Sequence, residues 1–289
     1  MRYLIYLIVY PFLWCISILP FPLLYLFSDF IYYIVYYVVG YRKKTVRENL
    51  AMALPHLSAE ERLVIEKKFF HHLCDMFLEM IKTMTISQAE MEKRFVFTNL
   101  EIYKELEKKE KSVALMCAHY ASYEWLVSMN SYTTFESYGI YKKLKNPYFD
   151  KLVRKIRSKF KASLITTKET IPTIIENNRI KKLSLYGFAS DQSPRANSAY
   201  HWTKFMGIET PVHTGAEMLA KRYNMNVIFL KTKKLKRGYY ESSFEILSEN
   251  AEEVPNYEIT DHFLKLVEQQ IYEAPEYYLW THKRWKHSR

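Results

Sequence analysis

The chain is poor in the residues that staple, cradle or ligate. Its three cysteines, Cys15, Cys74 and Cys117, stand far apart in 289 residues, with no CxxC and no metal-ligand spacing. That excludes a disulfide framework and a zinc centre, points to a reducing compartment, and leaves the thiols as apolar filler. The six glycines never form GxGxxG or GxxxxGK, and GxSxG is absent, so a nucleotide cradle and a serine elbow have no support. No repeat period, low-complexity tract or interdomain linker interrupts the sequence. With no motif for a cofactor or a metal, neither is expected.

What is present is apolar and basic. A hydrophobic content of 49% over this length supplies a sizeable core for one large domain or two small ones. Forty-two Lys and Arg against 31 Asp and Glu leave a net charge of +11, so an anionic partner is expected: nucleic acid, acidic lipid or an acidic protein. Twenty-five Tyr and 17 Phe are a heavy aromatic load, much of it in the first forty residues. From Tyr3 to Phe27 the chain carries no formal charge, and the first to appear is Asp29. At about 1.5 Å per helical residue that stretch crosses a bilayer core of roughly 30 Å, so it reads as a membrane segment.

Pro11, Pro20 and Pro22 would kink or break that segment. A straight span therefore competes with one spanning helix followed by an interfacial or re-entrant piece, "FIYYIVYYVVGY". A cleaved signal peptide fits worse, because Arg2 is the sole basic residue ahead, the apolar region is too long and no small-residue cleavage site follows. Arg42, Lys43, Lys44 and Arg47 come next, which by the positive-inside tendency places the rest of the chain on the cytoplasmic side. The expected organisation is an N-terminal anchor over residues 1–41 and one domain over 42–289.

Beyond the anchor, "LSAEERLVIEKKFFHHLCDMFLEMIKTM" reads as a long helix. Ser58 and Glu61 have the S-x-x-E capping-box form, and Val64, Ile65, Phe69, Leu73, Met76, Phe77, Met80 and Ile81 recur at helical spacing. This stripe packs as core or, in a membrane-bound enzyme, lines an acyl-chain channel. Strand-like runs then alternate with helical ones: "SVALMCAH", "SYGIYKKL", "ASLITT", "LSLYGFAS" and "MNVIFLKT". That alternation predicts an α/β fold with a central, mostly parallel sheet and helices on both faces.

The strongest candidate chemistry lies in "CAHYASYEW", where His119 precedes Glu124 by five positions. Spacing alone is uninformative, since composition predicts roughly one such pair by chance. A second, His56 and Glu61, is explained by the capping box, which claims Glu61 for Ser58. Context favours the first pair. A buried strand is predicted to end near Ala118, with Ser122 as N-cap of a helix beginning at Tyr123, so His119 lies in a loop at the carboxyl end of a strand. A carboxylate beside it would fix its tautomer and stabilise the imidazolium formed when it accepts a proton. Further on, Asn146 and Pro147 open a helix whose buried stripe is Phe149, Leu152, Val153, Ile156 and Phe160. Arg157 stands at the edge of that stripe and is the cation best placed to reach inward. "ASDQSPR" ends another strand and puts Asp191, Gln192 and Arg195 at the same sheet edge as His119, if the sheet is mainly parallel.

These segments, in order, with "VRENLAMALPHLSAEERLVI" before them and "YLWTHKRWK" after, resemble the late acyltransferases of lipid A biosynthesis. The resemblance spans most of the chain, and four ordered motifs are far more specific than any one. It implies a glycerolipid-acyltransferase-like fold with an N-terminal membrane-anchoring helix. It also implies transfer of a fatty acyl chain from acyl-acyl carrier protein to a hydroxyl of a phosphorylated glycolipid acceptor, a lipid A precursor, at the cytoplasmic face of the cell inner membrane. His119 and Glu124 then correspond to the catalytic pair, with His119 as general base. Arg157, Asp191, Lys142 and Asn146 fall to substrate binding: Arg157 on a phosphate or oxyanion, Asp191 holding that arginine or a neighbouring loop. Lys142 departs from the arginine common in the family and lacks its bidentate fork. Two other readings stay open: acylation of a different membrane lipid or glycolipid, and a non-catalytic, membrane-tethered protein that binds anionic lipid. Nucleic acid is disfavoured, because the basic helix has no aromatic stacking platform and a membrane anchor precedes it.

Overall fold

A computed structural model describes residues 2–289, Ser198 by its backbone only. The apolar N-terminus folds as two helices, α1 (Arg2–Ile18) and α2 (Phe21–Tyr33), the second continuing without a break into a π-helical stretch, Ile34–Val39. Pro20 occupies the N-cap of α2, and Gly40, at φ 63°, ends the π-helical stretch in the left-handed conformation. Pro20 has no N–H to donate to the preceding turn, so the helix stops there and a new one starts. Among the described residues the helix long and apolar enough to cross a membrane is Phe21–Val39, 19 residues. Of the two arrangements left open, neither the straight span from Tyr3 nor a separate piece over "FIYYIVYYVVGY" is seen, because the break falls at Pro20 and that piece continues the second helix. Pro11, by contrast, is accommodated inside α1.

Next come α3 (Lys43–Ala53) and the long α4 (Ala59–Lys82). At the start of α4, Glu61 N donates to Ser58 Oγ at 3.1 Å and Ser58 N donates to Glu61 Oε2 at 2.7 Å, the reciprocal cap read from the sequence. The remainder alternates: α5 (Gln88–Arg94), β1 (Phe95–Phe97), α6 (Leu100–Glu107), β2 (Val113–Cys117), a 3₁₀ helix Tyr123–Ser131, β3 (Glu136–Tyr141) and α7 (Pro147–Arg157). Then follow β4 (Ser163–Thr166), α8 (Thr170–Arg179), β5 (Ser184–Ala189), a hairpin of β6 (Trp202–Phe205) and β7 (Ile208–Pro211), α9 (Gly215–Arg222), β8 (Asn226–Lys236), β9 (Tyr239–Ser248) and α10 (Glu258–Glu273).

Seven strands form one sheet in the order β1-β9-β8-β2-β5-β3-β4, parallel except for the β8–β9 pair, and helices flank it. The five strands expected from the sequence are β2, β3, β4, β5 and β8. The pattern did not announce β1 and β9, the first because it is three residues long and the second because its core side carries serine as well as aromatics. All five residues of β2 are buried, because it lies between β5 and β8.

The N-terminal helices are fastened to this sheet. Arg237, in the turn between β8 and β9, donates to Asp29 of α2 at 2.6 Å and to Asp75 of α4 at 2.7 Å. Gly238 completes that turn at φ 74°, and a Cβ there would overlap the Tyr25 hydroxyl of α2. Gly238→Ala is therefore expected to destabilise the protein by at least about 1 kcal/mol, read as a lower Tm in thermal unfolding.

Candidate active site

The register of β2 on β5 builds the site. Cys117 lies opposite Ala189, and Ser190 N donates to Cys117 O at 3.2 Å as the two strands run out together. His119 and Asp191 each follow two residues later, so they meet at the carboxyl edge of the sheet. Asp191 Oδ1 accepts from the His119 backbone N–H at 3.1 Å and lies 2.7 Å from His119 Nδ1. With Nδ1 so engaged, the proton-exchanging nitrogen left to His119 is Nε2.

The pairing differs from the one expected in the loop. Glu124 does not hold His119. Its carboxylate takes the Arg157 guanidinium bidentately, Nε to Oε2 at 2.8 Å and Nη2 to Oε1 at 2.6 Å. The reason is local: the chain turns at Ala121, φ 50°, and enters a 3₁₀ helix, which aims Glu124 at the last residue of α7. Ser122 stands at the N-cap position, but its hydroxyl makes no cap and donates instead to Glu79 Oε2 at 3.2 Å. Glu79 also accepts from Tyr25 at 2.9 Å and from Tyr240 at 2.9 Å, so this one buried carboxylate ties the His119 loop to α2, α4 and β9. Burial above all pushes Glu79 up to about 7.

Electrostatics follow the His119–Asp191 contact. Burial lowers the His119 pKa, but the Asp191 charge and hydrogen bond outweigh it, with a further upward push from Glu124, and the imidazole ends above its ordinary value. Asp191, fully buried, is held below the usual carboxylate range: burial raises it, and the charge and hydrogen bonds of His119 more than reverse that. Cys117, two residues before His119, is buried in β2, and its thiol is pushed up to about 12 by that burial and by the Asp191 charge. A thiolate is strongly disfavoured there.

The C-terminal segment supplies a wall that was visible in the sequence as a motif but without roles. Ala121 N donates to Tyr277 O at 2.9 Å and Leu279 N to His119 O at 3.1 Å, laying this segment antiparallel along the His119 loop. Arg284 is buried beneath it. Its Nε donates to Asp191 O at 2.7 Å and its Nη1 to Thr210 Oγ1 at 3.0 Å and Pro211 O at 3.1 Å, fastening the end of β5 to the end of β7. Phe69, Leu73 and Met76 of the α4 stripe, with Tyr123, Leu279 and His119, line a narrow cleft. Lys142 is exposed between β3 and α7, while Asn146 caps α7 through Tyr148 N at 3.0 Å and donates to Arg2 O at 3.4 Å.

Comparison with known proteins gives the family. Residues 1–287 match the family described as bacterial lipid A biosynthesis acyltransferase. A lipid A biosynthesis lauroyltransferase of Escherichia coli (strain K12) is 22% identical over 275 residues, covering 95% of this chain and 89% of that one. The protein is thus an acyltransferase carried on an α/β sheet. More particularly, the chain belongs to the bacterial lipid A biosynthesis acyltransferase family, and its activity is acyl transfer in lipid A biosynthesis.

Proposed function

We propose that this protein moves a fatty acyl chain from acyl-acyl carrier protein to a hydroxyl of a lipid A precursor, with His119 as general base. The observation that carries the reading is the His119 imidazole fixed through Nδ1 by buried Asp191, in the wall of a narrow, largely apolar cleft. His119 Nε2 takes the acceptor's proton as that oxygen attacks the thioester carbonyl. Collapse of the tetrahedral intermediate expels the carrier thiolate, which receives the proton from the imidazolium. No acyl-enzyme is required, in keeping with the high pKa of Cys117.

In this reading Asp191 sets the tautomer and stabilises the imidazolium, the part first given to Glu124, while Glu124 adds negative potential and holds Arg157 for a substrate phosphate or oxyanion. Lys142 and Asn146 serve the substrate from beside the start of α7, where the Lys142 ammonium contributes a point charge. Residues 1–41 anchor the domain at the cytoplasmic face of the inner membrane; Met1 lies outside the described residues. Support comes from two exposed apolar stripes, Leu4, Ile8 and Phe12 on α1 and Leu26, Phe30, Tyr33 and Tyr37 on α2 and its continuation.

Mass spectrometry of lipid A from cells with and without the protein tests the acceptor. Loss of one acyl chain from lipid A is expected when the protein is removed. An unchanged lipid A, with another lipid one chain short, would reassign the acceptor.

A further inference from the structure

The cleft beside His119 holds a second imidazole that the mechanism above leaves unused. His72, on α4, is 3% exposed and lines the same cleft as His119, Tyr123 and Leu279. Its Nδ1 lies 3.1 Å from Lys234 Nζ, and its ring meets Tyr277 edge-on at 4.9 Å. Lys234 itself is buried against Asp75, Nζ to Oδ2 3.8 Å; burial lowers its pKa, and the Glu79 and Asp75 charges oppose that and favour the ammonium. An ammonium only donates, so Nδ1 must accept, and the imidazole proton is confined to Nε2. Burial, reinforced by the Lys234 charge, holds the His72 pKa well below 6.5, which keeps the ring neutral. Nε2 has no hydrogen-bond partner among the described residues; the Ala121 carbonyl acts on the ring without meeting hydrogen-bond geometry.

His72 lines an apolar cleft with a neutral N–H that the Ala121 carbonyl does not satisfy in hydrogen-bond geometry, so an acceptor arriving with the ligand would complete it. The other named walls of the cleft are largely hydrocarbon and aromatic rings, and the acyl end of a thioester carries one polar atom of its own, the carbonyl oxygen. We propose that His72 Nε2–H donates a hydrogen bond to the acyl carbonyl oxygen of the thioester and to the oxyanion that forms there. This inference rests on the acyl-thioester reading of the same site. His72 is then a catalytic residue that stabilises charge, where His119 moves the proton. A neutral imidazole suits the task because it can donate to the oxyanion without protonating it at the working pH. Lys234 becomes a positioning residue, since it sets which nitrogen of His72 carries the proton.

The experiment compares full-length wild type, His72→Phe, His72→Gln and Lys234→Gln in transfer from an acyl thioester, with Tm measured for each. His72→Phe fills the space and removes the donor. It is expected to lower kcat by about 10²-fold, with KM within about twofold and the acidic limb of the pH profile unmoved. His72→Gln, which restores an N–H, recovers part of the loss; Lys234→Gln lowers kcat less than His72→Phe does. As a readout independent of turnover, the carbonyl of a ¹³C-labelled acyl thioester bound to His119→Ala protein is followed by infrared spectroscopy. Its stretch should shift to higher frequency when His72→Phe is added. A folded His72→Phe protein with wild-type kcat, or an unmoved carbonyl band, would overturn the inference while leaving the acyl-transfer reading intact. A wild-type protein that moves no acyl group from any thioester would bring down both.

Discussion

His119→Ala is expected to lower acyl transfer by about 10³-fold, within the range a positioned general base supplies, and to lower Tm as well, because it leaves the buried Asp191 carboxylate without its imidazole partner. The imidazole packs on the Tyr123 ring at 5.0 Å, but its decisive contact is with Asp191, so the substitution removes chemistry more than packing. The pH dependence follows from the same contact. A base works only when unprotonated, so activity should rise with pH through the His119 pKa, which the Asp191 charge holds above its ordinary value against the opposing effect of burial. Asp191→Asn removes the strongest upward influence. Its acidic limb should therefore move to lower pH even as kcat falls, because an asparagine keeps the approximate shape but no longer stabilises the imidazolium. A limb that stays in place in Asp191→Asn would assign it to another group, and undiminished turnover in His119→Ala would remove this residue from the mechanism.

Breaking the second ion pair should have a structural effect that a double variant can separate from its chemistry. The Glu124 side chain is 8% exposed and that of Arg157 23% exposed, so neither is well solvated. Arg157→Met leaves the Glu124 carboxylate without a partner in a poorly hydrated place, and a loss of about 3 kcal/mol is expected. Replacing both, Glu124→Leu with Arg157→Met, should restore most of that stability, since a buried pair is often worth little more than apolar residues of similar volume. Thermal unfolding of wild type, both single variants and the double variant closes the cycle. Equal Tm values for Arg157→Met and the double variant would show that the lost stability has another origin. Activity distinguishes the two functions of Arg157: if it contacts substrate phosphate or oxyanion, the stable double variant remains impaired.

The two pairs also mark the limit of sequence reading. His119, Glu124, Arg157 and Asp191 were all legible as residues, because each stands at a predicted strand end, helix start or stripe edge. Their partnership was not, because it depends on which strands are neighbours. Adjacent strands β2 and β5 are separated in sequence by β3, α7, β4 and α8, and only their register carries Asp191 to His119. The anchor behaves similarly. Proline positions foretold a break, but the competing placements of the apolar helix were resolved by Pro20 taking the N-cap of α2. His72 carried no local signal at all: it stands beside His71 in an otherwise apolar stretch of α4, and it gains meaning from Lys234, far away in the sequence, at its Nδ1.

What the sequence determined by itself is what short-range chemistry controls: the apolar N-terminus, the Ser58–Glu61 cap, the alternation of strand and helix, and the loops in which polar residues gather. What tertiary structure decided is which carboxylate meets which base. A hydrogen bond selects its partner at about 3 Å, and that proximity arises only when separate strands share a sheet and a register.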